Sequence, residues 1–250
     1  MDELRIIPIG GIGEVRPGER VAEMLLTGLE RQRQKLIPGD ILVVKHKIIS
    51  KAEGKIVRLE QVHPTPATQR WARRYGLDPR SVQLGLREAR RIVRRGYGVL
   101  ITETSHGFVC ANSGVDVSNV DGGASAVLLP DHPDASAARI HRDIRRRTGI
   151  RVPVIISDSF GRPWREGLTE VAIGCAGMKV FRDLRGRRDN YGYRLRVTLE
   201  AVADELASAA GLMCEKLSQT PACLIRGYKY EPGRGRARDI IRPPQRDLFR

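Results

Sequence analysis

The apolar residues of this chain are collected in short runs, most of which are closed by glycine or by serine. The runs cover residues 4–9, 41–49, 124–129, 152–156 and 222–226. Because none approaches the roughly 18 apolar residues that cross a bilayer, each one predicts a short strand of a packed core. With 41% hydrophobic residues in a length of 250, the chain can bury the core of one large or two small globular domains.

Segments with helical spacing of apolar residues separate these runs. We predict helices over residues 19–35, 65–75, 79–95, 135–148 and 195–217, and a β-hairpin over 98–111. The last helix is predicted to be the longest, with a core face formed by Leu199, Val202, Leu206 and Met213. Helices and strands alternate irregularly and hairpins recur. The predicted fold class is therefore α+β, with antiparallel sheets and flanking helices and without a Rossmann or P-loop unit.

The strongly basic composition favours anionic partners. A formal net charge of +15 attracts polyanions such as nucleic acid, and it attracts small phosphorylated ligands equally. The basic residues lie mostly on helix-like segments such as REARRIVRRG, and we find no aromatic-interleaved RNA-binding signature, helix-turn-helix or zinc-finger pattern. We therefore interpret most of the charge as solvated helix faces, and we expect no nucleic-acid partner.

The N-terminus and the cysteines indicate the compartment. The N-terminus MDELRIIPIGG lacks the basic and apolar regions of a secretory signal, so we expect a cytoplasmic protein without a membrane partner. The cysteines form no CxxC pair and no cluster with histidine; they are Cys110, Cys175, Cys214 and Cys223. We expect reduced, buried thiols instead of a zinc site or a disulfide framework.

Two turns offer contacts to phosphate. No Walker A sequence is present, and Gly10, Gly11 and Gly13 have the wrong spacing for a dinucleotide fingerprint, so GGIG predicts a tight turn. Its backbone N–H groups are an alternative phosphate cradle. The segment SKAEGK, residues 50–55, directly follows an apolar run, where a lysine is well placed for a nucleotide phosphate. A solvated lysine is the commoner explanation of such a segment.

A carboxylate also follows the predicted hairpin. In NSGVDVSN, residues 112–119, Asp116 lies among short oxygen-bearing side chains that suit a hard cation such as Mg²⁺ or Mn²⁺. An Asx-type turn, in which these side chains bond only their own backbone, fits the same spacing equally well.

The segment VIISDSFGRPWREG, residues 154–167, combines a carboxylate, a hydroxyl and cations. Asp158 and Ser159 follow the apolar run, and Arg162 and Arg165 come shortly after. A carboxylate and a hydroxyl for a metal, with arginines for phosphate or carboxylate oxygens, fit phosphoryl-transfer chemistry. The alternative is a structural salt bridge between Asp158 and one of the arginines. A metal site becomes the better explanation than a salt bridge if the Asp116 loop binds the same cation.

Together, these motifs resemble those of the coenzyme F420-0:γ-glutamyl ligase family. The matching stretches occur in the family's order and span nearly the whole chain; they are IISKAEGK, GFVCANSGVDVSN, SDSFGRPWREG, GRRDNYG, VTLEAVADELASAAGLM and RPPQRDLFR. The resemblance implies GTP-dependent addition of L-glutamate, through γ-linked amide bonds, to the deazaflavin precursor coenzyme F420-0 by way of an acyl phosphate. It also implies a homodimer. Residues 1–250 are expected to form one ligase unit, whole or as two packed subdomains, without the flavin-reductase-like C-terminal domain of some members.

The resemblance also implies roles for individual residues. A divalent cation, Mg²⁺ or Mn²⁺, is implied at Asp116, Asp158, Ser159 and Glu215, and K⁺ is a further candidate cation. The implied catalytic residues are Asp116, Asp158 and Arg162. For Arg162 and Arg165 the acceptor's phosphodiester, the incoming glutamate and the nucleotide remain open as partners. The implied nucleotide contacts are Ile12, Gly13, Glu14, Val15, His46, Lys47, Lys51, Asn119 and Glu215.

The chain departs from the family after the last predicted helix. Many relatives carry a glycine-rich run there, whereas this chain reads LMCEKLSQTP, with no glycine after Met213. Glu215 is the best match to the family's metal ligand, and we hypothesise that the charge of Lys216 replaces lost backbone contacts to phosphate. Two alternative functions remain: a related nucleotide- and metal-dependent amide ligase acting on another carboxylate, and a basic nucleic-acid-binding protein.

Overall fold

The computed structural model describes residues 3–215 and 217–248. Its strands are β1 (Arg5–Ile9), β2 (Ile41–Lys45), β3 (Ile56–Arg58), β4 (Ala89–Gly96), β5 (Val99–Thr104), β6 (Val109–Ala111), β7 (Ser125–Val127), β8 (Val154–Arg162), β9 (Arg165–Ala176), β10 (Arg182–Asp183), β11 (Leu199–Glu200) and β12 (Ala222–Arg226). Its α-helices are α1 (Val21–Arg31), α2 (His46–Ala52), α3 (Pro66–Arg74), α4 (Pro79–Arg87), α5 (Pro133–Thr148) and α6 (Val202–Gly211). The predicted α+β class is confirmed.

A five-stranded sheet in the order β1-β12-β2-β8-β9 forms the centre of the structure. β2 and β8 pair in parallel, and the other neighbours in this sheet pair antiparallel. Side chains alternate between the two faces of the sheet. On one face Leu42, Val44 and Ile156 pack with α1 and α5, and on the other Ile41 and Ile155 pack with α6. Because helices cover both faces, the central strands are apolar almost throughout.

Three smaller sheets complete the strand pairing: β4-β5-β6, β3-β7 and β10-β11. A separate apolar cluster joins β7 to α4 and to the turn that follows β3; its buried members are Leu59, Val62, Leu84, Ala126 and Leu128. β7 also exchanges backbone hydrogen bonds with the segment after β6. The N–H of Asp116 donates to the Val127 carbonyl at 3.1 Å, and the reverse bond is 2.8 Å long. The Asp116 segment is therefore anchored on a sheet outside the central one.

The predicted strand over residues 41–49 is too long. β2 ends at Lys45, whose backbone is extended, and His46 begins α2. The apolar run could not reveal this boundary, because Ile48 and Ile49 are buried in either conformation. In the structure both isoleucines join the core on the α1 face of the sheet.

Strand pairing also shortens two predicted helices. The predicted helix 79–95 ends at Arg87 in the structure, and the chain beyond it forms β4, which pairs with β5. The predicted helix 195–217 is reduced to α6, because residues 182–200 form an extended arm closed by the β10–β11 pair. Leu199 and Met213 are 39% and 42% exposed and do not belong to its core face. Of the helices described, α5 is the longest, with 16 residues, and none is long and apolar enough to cross a membrane.

β8 extends beyond the predicted residues 152–156. It continues to Arg162 because β9 pairs with it along its whole length, with a register irregularity between Ile156 and Ser157. Asp158 therefore lies within a strand and not after one. The irregularity marks the point where the apolar part of the strand ends and its polar part begins.

Candidate active site

The pairing of the central sheet brings four chain segments to one edge. Because β2 and β8 are parallel, with Lys45 opposite Ser157, the residues that follow these two positions lie together. β12 runs antiparallel to β2 and begins at this edge, where the Lys45 N–H donates to the Pro221 carbonyl at 2.8 Å. β1 pairs with β12 and ends at the same edge, so the glycine-rich turn after Ile9 joins the other three segments.

A cleft of about 1220 Å³ opens at this edge. Residues from all four segments line it, together with the loop 116–123 that β7 anchors. The predicted site residues in its wall are Ile12, Gly13, Glu14, His46, Lys47, Lys51, Asp116, Asn119, Asp158, Ser159 and Glu215. Segments far apart in the sequence thus contribute to a single cavity.

Some of the predicted site residues lie outside the cleft wall or outside the described residues. Val15 is buried in the core on the α1 face and is not part of the cleft wall. Arg162 and Arg165 are exposed at the turn that joins β8 to β9, and the Arg162 guanidinium donates to the Glu166 carbonyl at 3.1 Å. Within the described part of the chain neither arginine forms an ion pair with Asp158, so the salt bridge considered for this carboxylate is absent. Lys216 lies outside the described residues.

Asp116 is held by a lysine and by its own loop. Lys47 Nζ lies 2.8 Å from Asp116 Oδ2 and donates to the carbonyl and hydroxyl oxygens of Ser118, each at 2.8 Å. The Ser118 N–H donates to Asp116 Oδ1 at 2.7 Å, which forms the Asx-type turn. Burial opposes ionisation of Asp116, but the hydrogen bonds from Lys47 and Ser118 outweigh it and lower the pKa of the carboxyl. Asp116 therefore presents an ionised carboxylate to the cleft.

The loop that carries Asp116 has an unusual backbone. Several residues other than glycine adopt positive φ in it; they are Asn112, Ser113, Asn119 and Asp121. Asn and Asp are enriched in this left-handed region because their short side chains bond the local backbone. Such conformations cost free energy and cluster at binding and catalytic loops, which agrees with the position of this loop over the cleft.

Lys51 is a buried cation of the cleft. It is 7% exposed, and its Nζ donates to Glu14 Oε1 at 2.6 Å and to the Asn119 carbonyl at 3.1 Å. These bonds join α2 to the turn after β1 and to the Asp116 loop. The Glu14 side chain is 76% exposed. An anionic ligand in the cleft can therefore replace Glu14 at the ammonium group without leaving a buried carboxylate unpaired.

His46 and Asp158 approach each other across the parallel pair. His46 Nε2 lies 3.3 Å from Asp158 Oδ1, but the two atoms are not aligned for a hydrogen bond, and this buried nitrogen has no hydrogen-bond partner among the described residues. The Ser159 N–H donates to Asp158 Oδ1 at 2.7 Å. A buried polar atom without a partner costs free energy. The space beside His46 and Asp158 therefore suits a further polar group supplied by a ligand.

Glu170 of β9 is a buried carboxylate behind the cleft wall, and sequence reasoning missed it. Ser157 Oγ donates to its Oε2 at 2.7 Å; Ser159 Oγ donates to its Oε1, which also lies 2.5 Å from Lys45 Nζ. The strand register explains the cluster, because Ser159 is directly opposite Glu170 and Ser157 is opposite Lys45. The available signal was a lone carboxylate in the small, apolar run TEVAIGCA.

The cleft offers oxygen ligands without a closed metal cage. In the chain as described, no three His, Cys, Asp or Glu side chains come together as a metal site. Asp116, Asp158 and Ser159 nonetheless line one cavity. Mg²⁺ usually binds through one or two carboxylates together with substrate phosphates. The donor set therefore fits a cation that enters with a nucleotide.

Comparison with known proteins identifies the family to which this chain belongs. Residues 11–227 match the family model described as F420-0:Gamma-glutamyl ligase. The chain belongs to this family. The resemblance inferred from the sequence motifs is confirmed, and membership in the F420-0:γ-glutamyl ligase family makes the chain an enzyme of the ligase class.

Relatives of this F420-0:γ-glutamyl ligase family member carry the name coenzyme F420:L-glutamate ligase. The protein from Methanopyrus kandleri is 45% identical over 99% of this chain and 98% of the relative. The protein from Methanothermobacter thermautotrophicus is 43% identical over 99% of each chain. The protein from Methanocaldococcus jannaschii is 45% identical over 85% of each. The sequence similarity thus covers at least 85% of this chain and of each of these relatives.

The segment that follows α6, for which the resemblance predicts a glycine-rich run, lines the cleft. The residues of this segment in the cleft wall are Cys214, Glu215 and 218–221. The Ser218 hydroxyl donates to the Glu215 carbonyl at 2.9 Å, which closes a local turn. Cys214 Sγ lies 2.8 Å from Cys223 Sγ, and both thiols are buried. The segment is therefore attached to β12 by close packing at its first residue.

Proposed function

We propose that this chain catalyses the GTP-dependent addition of L-glutamate to coenzyme F420-0 through a γ-linked amide bond. The family and the names of the relatives suggest the reaction. The observation that supports it in this chain is the cleft at the edge of the central sheet, where Asp116 and Asp158 lie with Lys47 and Lys51. Carboxylates suit a divalent cation, and ammonium groups suit phosphate oxygens.

Amide formation from a carboxylate requires an activated carbonyl carbon. In the proposed reaction a carboxylate oxygen of the acceptor attacks the γ-phosphorus of GTP, GDP leaves, and an acyl phosphate forms. The amine of L-glutamate then attacks the acyl carbon, phosphate leaves with the electrons of the C–O bond, and the nitrogen releases its proton to water. Asp116 and Asp158 would hold Mg²⁺ or Mn²⁺, which neutralises phosphate charge when it is bound.

The other residues of the wall complete the proposed assignment. Lys47 and Lys51 bind phosphate oxygens in place of their present partners, Asp116 and Glu14. The turn at Gly13, which has positive φ, presents backbone N–H groups to the nucleotide. The remaining nucleotide contacts are Ile12, His46 and Asn119, and Ser159 and Glu215 supply further oxygens to the cation.

Arg162 and Arg165 take the anionic acceptor in this proposal. Both are exposed at the turn between β8 and β9, outside the wall of the cleft. That position lets them meet a large acceptor as it arrives from solvent, whereas the nucleotide is taken up by the cleft itself. The net charge of +15 favours the encounter, because acceptor, glutamate and GTP are all anions.

Mass spectrometry tests the reaction directly. The protein is incubated with coenzyme F420-0, L-glutamate, GTP and Mn²⁺, and the acceptor mass is followed. We expect the mass to rise by glutamate residues when nucleotide and metal are both present, and the number of additions is read from the same spectrum. GTP consumption without a mass change would contradict the acceptor assignment and favour a related amide ligase acting on another carboxylate.

Two substitutions test the role of the aspartates. Asp116→Asn and Asp158→Asn keep the side-chain shape and remove the charge, so we expect turnover to fall by at least about a hundredfold while the protein stays folded. A decrease in melting temperature is expected for Asp116→Asn, because the ionised carboxylate pairs with Lys47. Asp131→Asn is the matched control, since Asp131 is exposed, pairs with Lys55 and lies outside the cleft wall. Full activity in either cleft variant would remove the cation assignment.

We also propose that the ligase is a homodimer. The arm of residues 182–200 projects with exposed apolar side chains, including Tyr191, Tyr193 and Val197. Exposed apolar patches on an extended hairpin are typical of protein–protein contacts, and a second copy of the chain is the occupant that the family resemblance suggests. Light scattering is expected to give twice 27.9 kDa. A Tyr191→Ser, Val197→Ser variant is expected to elute as a monomer.

A further inference from the structure

The polar end of β8 forms hydrogen bonds in two directions. Asp158 faces His46, whereas Ser157 and Ser159 point the other way, toward Glu170. Glu170 is 7% exposed and does not line the cleft, but Ser159 and Lys45 do. Glu170 therefore contacts two wall residues from behind.

Among the described residues, the polar contacts of the Glu170 carboxylate come from hydrogen-bond donors. Ser157 and Ser159 donate their hydroxyl protons, and the Lys45 ammonium group lies 2.5 Å from Oε1. A hydroxyl group has one proton to donate and two lone pairs. Because the proton of Ser159 is used on Glu170, its lone pairs are directed away from the carboxylate, and the residue borders the cleft.

We propose that Glu170 is a positioning residue that prepares Ser159 as an oxygen ligand and holds Lys45 in the cleft wall. The inference rests on the proposed function, because it presumes a divalent cation at Asp158 and Ser159. Outer carboxylates that orient a ligating group are a general feature of metal sites and contribute about 10- to 100-fold to metal affinity. Glu170 acts through Ser159 and touches neither cation nor substrate.

The surrounding structure is adapted to this carboxylate. α6 presents Gly211 to the side chain, and Ser208 Oγ donates to the Glu170 carbonyl at 2.7 Å. Its ion pair with Lys45 is largely buried, with the two side chains 7% and 21% exposed, and such ion pairs contribute little net stability compared with well-packed apolar residues. Stability alone therefore gives no reason to place a carboxylate here, whereas orientation of Ser159 does.

The test is a titration with Mn²⁺ at a fixed concentration of GTP, followed by electron paramagnetic resonance of the free ion, and a titration without protein subtracts the Mn²⁺ that GTP binds in solution. Glu170→Gln keeps the volume and removes the charge, and we expect the Mn²⁺ dissociation constant to rise about 10- to 100-fold. Glu103→Gln is the matched control. Glu103 is an equally buried carboxylate that accepts from Arg91 at 2.8 Å, but it lies on β5, away from the cleft. Glu103→Gln is expected to leave the Mn²⁺ dissociation constant within twofold of that of the unaltered protein.

Separate outcomes test the two proposals. Equal Mn²⁺ affinity in Glu170→Gln and the unaltered protein would overturn the positioning role and leave the proposed ligase reaction standing. An unaltered protein that binds no Mn²⁺ in the presence of GTP would contradict the cation of the proposed function. If Glu170→Gln does not fold, Ser159→Ala carries the test, because the inference requires the same loss of Mn²⁺ affinity when the oriented hydroxyl is removed. Unchanged affinity in Ser159→Ala overturns the inference.

Discussion

Gly211 leaves the space that the side chain of Glu170 occupies. A Cβ atom on Gly211 would lie 2.6 Å from Glu170 Cγ, well inside van der Waals contact. Glycine is unfavourable in a helix, yet it occupies the last position of α6. The close approach of β9 and α6 at the buried carboxylate explains why a helix residue without a side chain is needed there.

Gly211→Ala is expected to destabilise the protein by about 1–3 kcal/mol through overpacking. The higher helix propensity of alanine offsets up to about 1 kcal/mol of this cost. Urea unfolding measures the change. The coupling is tested in a Glu170→Ala background, where the space is free and the cost should vanish. Gly96→Ala is the control, since nothing lies within 4 Å of its Cβ position. The same cost in both backgrounds would show that the two residues are not coupled.

Lys51→Met is expected to weaken GTP binding by about 10- to 100-fold, the effect of losing one hydrogen bond from a buried charged donor. Calorimetric titration with GTP measures the change. Lys55→Met is the control from the same segment, because Lys55 pairs with the exposed Asp131 and is not in the cleft wall. Its affinity for GTP should stay within twofold. Equal losses in the two variants would indicate a general charge effect and not a specific contact.

Cys214 and Cys223 are expected to join in a disulfide when the protein is treated with oxidised glutathione. Their sulfur atoms are 2.8 Å apart. The hydrogen bond from the Cys223 thiol lowers the pKa of Cys214, so Cys214 supplies the attacking thiolate. It displaces one glutathione thiol, and Cys223 then displaces the second. Trypsin cuts after Lys216, so the product is a pair of linked peptides two hydrogen atoms lighter than their sum.

The other cysteines are internal controls for this reaction. Burial raises the pKa of Cys110 and of Cys175 to about 12, so limited alkylation at neutral pH should label Cys214 before either of them. Alkylation of Cys110 or Cys175 first, or a mixture of glutathione adducts without the linked peptides, would contradict the assignment.

The contributions of Asp204 and Asp78 to the free energy of unfolding should change with pH in opposite directions. Burial raises the pKa of Asp204, which accepts from the Ala172 N–H at 2.9 Å. A group whose folded pKa lies above the unfolded value of about 3.9 contributes most below that value and loses its contribution as pH rises through the folded pKa. Asp204→Asn keeps the acceptor oxygen, so its stability relative to the unaltered protein should improve from acidic to neutral pH.

The hydrogen bond from Arg80 lowers the pKa of Asp78, at the start of α4. Its contribution is present above the unfolded pKa and is lost as pH falls through the folded pKa. Asp78→Asn should therefore become less stable, relative to the unaltered protein, from acidic to neutral pH. Urea unfolding at several pH values measures both variants, and parallel slopes for the two would contradict the predicted signs.

Local sequence patterns correctly predicted the helices and strands in which the spacing of apolar residues agrees with the tertiary contacts of the segment. The predicted helix 135–148 corresponds to α5, with Ile140 and Ile144 buried as expected, and the predicted strand 222–226 is β12. The pattern failed where pairing with a distant strand competes with helical spacing. β4 shows this, because REARRIVRRG has helical charge spacing but pairs with β5. Propensity is a weak preference that tertiary contacts override.

Which side chains are available for chemistry follows from the amino-acid sequence alone. Carboxylates, lysines and small polar residues follow its apolar runs, and their order indicates the ligase family. Which of these side chains come together depends on the fold. The parallel pairing of β2 with β8 sets Lys45 opposite Ser157, and the hairpin with β9 brings Glu170 to Ser159. These registers depend on backbone hydrogen bonds between strands far apart in the chain, and no local pattern encodes them.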